Sequence, residues 1–365
     1  MRERGPSPAS RSDLTGIPPY SPDAPASDLV GRAGVGRVAK LDANESPLGP
    51  FPGVAAAVAD VIAAANRYPD RGQALVDAIA RRHAVAADAV LVTNGADAAI
   101  GLLCDAFGGP GAEVVAAVPS FVTYAQDAVR SGARAVEVPV RADGCLDLPA
   151  MLAAIGAATR LVFLCNPNNP TGGVLPAPEV EAFLDAVPPG VVVAVDEAYA
   201  EYTGAEPDDV APIGLARPNV CRLRTFSKIF GLANLRVGYV IGPPDLLEPL
   251  RRLRHWYDVS DAAHVAATVS LLQPEEIARR REANVAGRAQ LEQVLRSAGL
   301  APLSSAACFV LAPVDDAAGV AAALEQDGVL VRAVEAERRG YIRVAVGDAD
   351  DHRQLGEALA RRLAG

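Results

Sequence analysis

Lysine is almost missing from this chain. Of 34 Lys and Arg residues in 365, only Lys40 and Lys228 are lysines; every other cation is arginine. A GC-rich coding bias explains a general preference for arginine, but not which lysines remain. Cysteine is scarce too. Cys104, Cys145, Cys165, Cys221 and Cys308 are odd in number and widely spaced, and no CxxC occurs. That pattern excludes a disulfide framework or structural zinc and points to a reducing, cytoplasmic compartment. HExxH is absent and the four His are scattered, so no metal site is expected. Apolar runs such as VVVAV fall far short of the ~20 residues of a membrane helix. The opening MRERGPSPASRSD lacks the apolar stretch of a signal peptide. A net charge of −10 gives no general field for nucleic acid or an acidic membrane surface. An anionic ligand would need its own cluster of arginines. GRAGVGR (31–37) lacks the GxGxxG spacing of a dinucleotide fingerprint.

What is present is a long, half-hydrophobic chain, enough for a large core divided between two domains. Residues 1–40, rich in Pro, Gly and Ser, read as an irregular N-terminal arm. From 41 to 250, short apolar runs alternate with helical stretches. The runs are AVLVT, EVVAAV, RAVEVPV, RLVFLC, VVVAVD, VCRLRT and VGYVIG. Apolar strands alternating with helices predict an α/β fold: a mostly parallel central sheet sandwiched by helices. The direction of VGYVIG stays open. A long helical pattern runs from 250 to about Ala298. The strands FVLAPV, VLVRAV and YIRVAV and a closing helix follow, giving a smaller α+β domain over 251–365.

In an open parallel sheet, ligands sit beyond the carboxyl ends of the strands. AVLVT is followed by NGADAA, small residues opening a helix whose free N–H groups suit a phosphate. PSFVTY follows EVVAAV, NPNNPTGG follows RLVFLC, DEAY completes VVVAVD, and FSKIFGLANLR follows CRLRT. Five strand ends thus bring polar or aromatic clusters to one edge, and Lys228 is among them. A lysine amine forms a Schiff base with an aldehyde; a guanidinium cannot. An aldehyde cofactor that also carries a phosphate, and a ring nitrogen needing a carboxylate such as Asp196, is pyridoxal phosphate.

The stretches LDANESPLGP, NRYPD, NGAD, PSFVTY, NPNNPTG, DEAY, TFSK and LRVGY run in order over about 40–350. Together they resemble the fold-type-I pyridoxal-phosphate aminotransferases, specifically the histidinol-phosphate aminotransferase branch. The resemblance implies that Lys228 carries the cofactor and moves protons, and that Asp196 keeps the ring nitrogen protonated. Asn169 and Tyr199 would bond the ring's phenolic oxygen, and Phe121 would stack on the ring. It assigns the phosphate to the backbone of Ala96 and Asp97, to Thr225 and Ser227, and to Arg236. Tyr68 would reach the partner's phosphate, which implies a homodimer. Arg343, with Arg332 eleven positions before it, would hold the substrate's anionic groups. Tyr20 would be the arm's substrate-binding tyrosine, and Asn44, counted with the substrate-binding residues, would lie near the site entrance with Glu45. The implied reaction moves an amino group from histidinol phosphate, or a similar anionic or aromatic amine, to 2-oxoglutarate. Three places depart from the branch: Asn234, where a glycine is usual; RHWYDVSDAAH (254–264); and AVEAERRGY before Arg343. They touch the substrate wall, and leave open an aromatic or basic amino donor, or decarboxylation or cyclisation of an amino acid.

Overall fold

The computed structural model describes residues 36–70, 72–203, 217–336 and 339–363, together with Ile17 and Val30. Tyr20 lies outside the described residues. The strands are β1 Ala39–Lys40, β2 Val90–Thr93, β3 Glu113–Val118, β4 Arg134–Pro139, β5 Thr159–Cys165, β6 Val192–Asp196, β7 Val220–Thr225, β8 Gly238–Ile241, β9 Phe309–Val314, β10 Val329–Leu330, β11 Arg332–Ala336 and β12 Arg339–Ala345.

Seven of these form the central sheet in the order β2-β8-β7-β6-β5-β3-β4. β8 alone is antiparallel to its neighbours β2 and β7, which settles the direction of VGYVIG. The reason is the connection. Between Thr225 and Gly238 the only regular element is the short turn Ala233–Leu235, and a parallel crossover needs a helix's length of chain.

Period-two alternation feeds two apolar faces. In β5, Leu161, Phe163 and Cys165 join a core with the helices Gly95–Phe107, Thr123–Ser131 and Pro244–Leu253. Val162 and Leu164 join a second core with Leu148–Ala153 and Ala177–Ala186. Each such buried side chain contributes roughly 1.5–3 kcal/mol, so the strand ends that carry polar groups rest on a stiff slab.

The C-terminal strands form a separate antiparallel sheet, β11-β12-β9, while β1, at the end of the stretch read as an arm, pairs in parallel with β10. The helical pattern read from 250 to about Ala298 resolves into the end of Pro244–Leu253, then Asp261–Leu271 and Pro274–Ser297. Breaks fall at the cap Ser260, whose hydroxyl accepts from the Ala263 N–H, and at Pro274. In β12, Ile342 and Val344 enter the core with Leu291, Leu295, Leu355 and Leu359. Arg343, between them, points the other way. Among the described residues no helix is long and apolar enough to cross a membrane.

Candidate active site

A cavity of ≈ 1160 Å³ opens at the carboxyl edge of β3, β5, β6 and β7, closed on its far side by the β11–β12 hairpin. Lys228, Asp196, Tyr199, Ala96, Asp97, Phe121, Asn169, Thr225, Ser227, Arg236, Asn44, Arg332 and Arg343 all line it. Tyr68 does not.

β7 ends at Thr225, whose hydroxyl accepts from the Ser227 N–H at 3.1 Å. The tight turn delivers Lys228, half-buried, into the cavity. Its Nζ donates to the Asn44 carbonyl at 3.4 Å and lies 5.6 Å from the Tyr199 ring centre. Burial lowers the amine's pKa; the Arg343 charge works the same way, while Cys308 opposes it. An amine that gives up its proton more readily is the better nucleophile.

Asp196 ends β6 in register with Cys165. One carboxylate oxygen accepts from the Tyr124 hydroxyl at 2.6 Å and the other from the Ala198 N–H at 3.0 Å. Burial still pushes this carboxyl up to about 6, against both hydrogen bonds. A carboxyl so placed gains from a cation set against it, such as a protonated ring nitrogen. Tyr199 accepts from Asn44 Nδ2 at 3.0 Å; burial raises its pKa, so it stays a phenol. Asn169 Oδ1 accepts from Arg343 at 2.7 Å. The neighbouring Asn168 locks that loop through Ser120, Thr171 and the Pro119 carbonyl.

At the other end lies the first turn of the helix Gly95–Phe107. Asn94 precedes it without capping it; its side chain donates instead to the Asp258 carbonyl at 2.6 Å. The first-turn amides therefore have no side-chain cap, which suits an anion. Two glycines allow the close approach around them. Gly95 has a φ of +76°, and a Cβ there would stand 2.8 Å from an Arg236 nitrogen; one on Gly238 would stand 2.9 Å from the Ala96 nitrogen. Arg236 donates to Asp97 at 2.7 Å and reaches the Ser227 hydroxyl at 3.5 Å. Both members of the Arg236–Asp97 pair are solvent-exposed. Such a pair holds by about 1 kcal/mol or less, so a phosphate can take over the guanidinium.

On the hairpin, Arg332 and Arg343 are direct cross-strand partners, so their side chains share a face. Arg343 also donates to the Asp42 carbonyl at 2.5 Å, while its buried Nε has no hydrogen-bond partner. Burial lowers its pKa, with a further push from Arg332. Asn234, where a glycine was expected, lines the same cavity. Tyr68 stands outside, 75 % exposed and stacked on Tyr257 at 4.4 Å; Trp256, 87 % exposed, meets Tyr257 edge-on.

Sequence reasoning gave no role to Tyr124, although its place three residues after Phe121 in PSFVTY could have marked it. It also passed over Cys308, buried with its sulfur 3.9 Å from the Asn44 carbonyl, and the pairing of Arg222 and Arg224 with Glu197. Among the described residues no group of three His, Cys, Asp or Glu is placed to hold a metal.

A lone amine, a buried carboxyl in need of a cation, an uncapped helix turn with two hydroxyls and an exchangeable arginine, and a phenol between amine and amide all fit pyridoxal phosphate. Comparison with known proteins agrees. Residues 37–359 match the family model for aminotransferase class I and II. The chain is 38 % identical to the histidinol-phosphate aminotransferase of Moorella thermoacetica, over 98 % of this chain and 94 % of that one. It is 42 % identical to the aromatic amino acid aminotransferase of Thermobifida fusca, over 96 % of both. Among solved structures, the histidinol-phosphate aminotransferase of Sinorhizobium meliloti in complex with pyridoxal 5'-phosphate superposes with a TM-score of 0.88, at 29 % identity and over 98 % of each chain. The chain thus belongs to the class I and II aminotransferases, enzymes with pyridoxal 5'-phosphate as their cofactor.

Proposed function

We propose that this aminotransferase works as a cytoplasmic homodimer that moves the amino group of a phosphorylated amino alcohol of the histidinol-phosphate type to 2-oxoglutarate. The observation that carries the substrate is the Arg332–Arg343 pair. Two guanidiniums side by side on one hairpin face, one of them with an unsatisfied buried Nε, suit a dianion.

When bound, the cofactor supplies an electron sink for charge developing on the substrate carbon that bears nitrogen. Lys228 takes and returns the proton at that carbon, helped by an amine pKa already lowered by burial. Asp196 holds the ring nitrogen's proton, and Tyr124 aims its carboxylate. Tyr199 and Asn169 hold the phenolic oxygen, and Phe121 covers a ring face. The first-turn amides of Ala96 and Asp97, with Thr225, Ser227 and Arg236, take the phosphate. Asn44, near Lys228 and Tyr199, closes the entrance. The exposed aromatic patch of Tyr68, Tyr257 and Trp256 supports the dimer, since a large exposed aromatic cluster favours a covering partner. In that dimer Tyr68 serves the partner's phosphate.

A second reading, an aromatic amino acid as donor, is favoured by the relatives of that name. A panel of donors with 2-oxoglutarate decides. Histidinol phosphate should give the highest kcat/KM; phenylalanine or tyrosine ahead of it would replace the first reading with the second.

A further inference from the structure

Next to Asp196 lies a buried ion cluster that the chemistry above does not use. Arg222 and Arg224 share one face of β7 and are 1 % and 2 % exposed. Both reach Glu197. The Nε of each donates to the same carboxylate oxygen at 2.7 Å, and Arg222 adds a second bond at 2.9 Å. Arg224 alone goes further, donating through its other arm to Glu201 at 2.9 Å. Two cations face two carboxylates, so the formal charge of the cluster cancels. Burial pushes the Glu197 carboxyl up, and the two arginines more than reverse it. The nearby His83, bonded to the Tyr239 hydroxyl at 3.0 Å, is driven down to about 2 by burial and by the same arginines, and stays neutral.

The placement matters because Glu197 and Glu201 stand two residues on either side of Tyr199. The turn between them is tightened by Ala200 N–H to the Glu197 carbonyl and Tyr202 N–H to the Tyr199 carbonyl, each at 3.1 Å. Arg224 sits four residues before Lys228 on the strand that delivers it. One planar guanidinium therefore ties both ends of the Tyr199 turn to the Lys228 strand. Arg222 reaches only Glu197, which Arg224 holds as well.

We propose that Arg224 is a positioning residue: by gripping Glu197 and Glu201 in one fork it sets the place of the Tyr199 hydroxyl relative to Lys228, and so the proton affinity of the lysine–cofactor linkage. A lysine in its place would keep the charge but not the fork, and could satisfy one carboxylate at a time. The inference rests on the reading of Tyr199 as a ligand of the phenolic oxygen.

The test uses purified holoenzyme and four variants, Arg224→Lys, Arg222→Lys, Tyr199→Phe and the double variant of Arg224→Lys with Tyr199→Phe. Thermal midpoint, kcat, KM and the pH midpoint of the cofactor's visible band are measured for each. Both arginine variants should lose thermal stability. Only Arg224→Lys should also raise the band's midpoint by about one unit and lower kcat about tenfold, with KM within about twofold. Added to Tyr199→Phe, Arg224→Lys should change the midpoint little further, since both act through one hydroxyl. Equal shifts from the two arginine variants, or none from Arg224→Lys while Tyr199→Phe moves the midpoint, would overturn the proposal alone. An unmoved midpoint in Tyr199→Phe would overturn the underlying reading too. If Arg224→Lys does not fold, Glu201→Gln carries the test: a midpoint raised by a smaller amount supports the fork, and an unchanged one overturns it.

Discussion

The cavity has two walls of different make. The wall proposed to hold the cofactor is built from strand ends and one helix start; Asp196, Tyr199, Thr225 and Ser227 are buried there, and the helix opens without a side-chain cap. The wall proposed to meet the substrate is built from a two-stranded hairpin, the segment 43–45 and long side chains, with Arg332 and Arg343 half-buried and Glu335 exposed. The first rests on two apolar cores of the central sheet; the second hangs from a small three-stranded one. Chemistry shared by all substrates needs fixed geometry, whereas selection among substrates needs only the right charges in reach. Damage on the first wall should therefore cost every donor equally, and damage on the second should cost donors unequally.

The largest effect is expected at Lys228. In Lys228→Ala, kcat should fall by roughly 10⁴ or more with every donor, because nucleophile and proton carrier are lost together. Borohydride reduction followed by mass spectrometry should find cofactor attached to the wild-type peptide around residue 228 and to none in the variant. Attachment surviving the substitution would remove the cofactor wall's defining residue.

Asp196→Asn comes next. With cofactor bound, kcat should drop about 10³-fold for all donors, since an amide cannot hold the ring nitrogen's proton. Without cofactor the sign reverses. Burial raises the Asp196 carboxyl from 3.8 to about 6. Between those values the folded protein binds more protons than the unfolded chain, so its stability falls as pH rises through the window. Above it, the loss amounts to about 3 kcal/mol at most. The amide has no proton to lose. Cofactor-free Asp196→Asn should thus melt above the wild type near pH 8 and level with it near pH 4; the opposite order would mean that the carboxylate is already well solvated.

How much of each wall could be read in the sequence follows from the same contrast. Lys228, Asp196 and the NGAD turn stand at the ends of apolar runs, where alternation and chain order fix them almost without side-chain detail. The seven strand runs were legible for that reason too. β8's direction was not, because nothing in VGYVIG distinguishes a return from a crossover; the length of the preceding connection does. Arg222 and Arg224 left a trace, two arginines alternating through an otherwise apolar strand, but their partners come from Glu197 and Glu201, about 25 positions earlier. The Tyr124–Asp196 bond spans 72 positions, and only the fold brings such groups together. The hairpin face shared by Arg332 and Arg343 depends on a register that no local pattern specifies.

Arg332→Gln is the smallest change and tests the substrate wall most sharply. Arg343 lies nearer the cofactor groups, bonded to Asn169, so its loss would disturb all donors. Arg332 adds a second positive charge across the strand pair and depresses the Arg343 pKa. Replacing it by glutamine relieves that repulsion. A phosphorylated donor, however, loses one charged hydrogen-bond partner, worth about 1.5–3 kcal/mol. Its kcat/KM should fall roughly 10- to 150-fold, less at high salt because the contact is half-exposed. Phenylalanine has no second anion for Arg332 to hold, and should change by less than about threefold. The ratio of the two donors is therefore the measurement. If it stays fixed while both rates fall, Arg332 belongs to the rigid wall, and the division between a wall that does chemistry and a wall that chooses substrates fails at this residue.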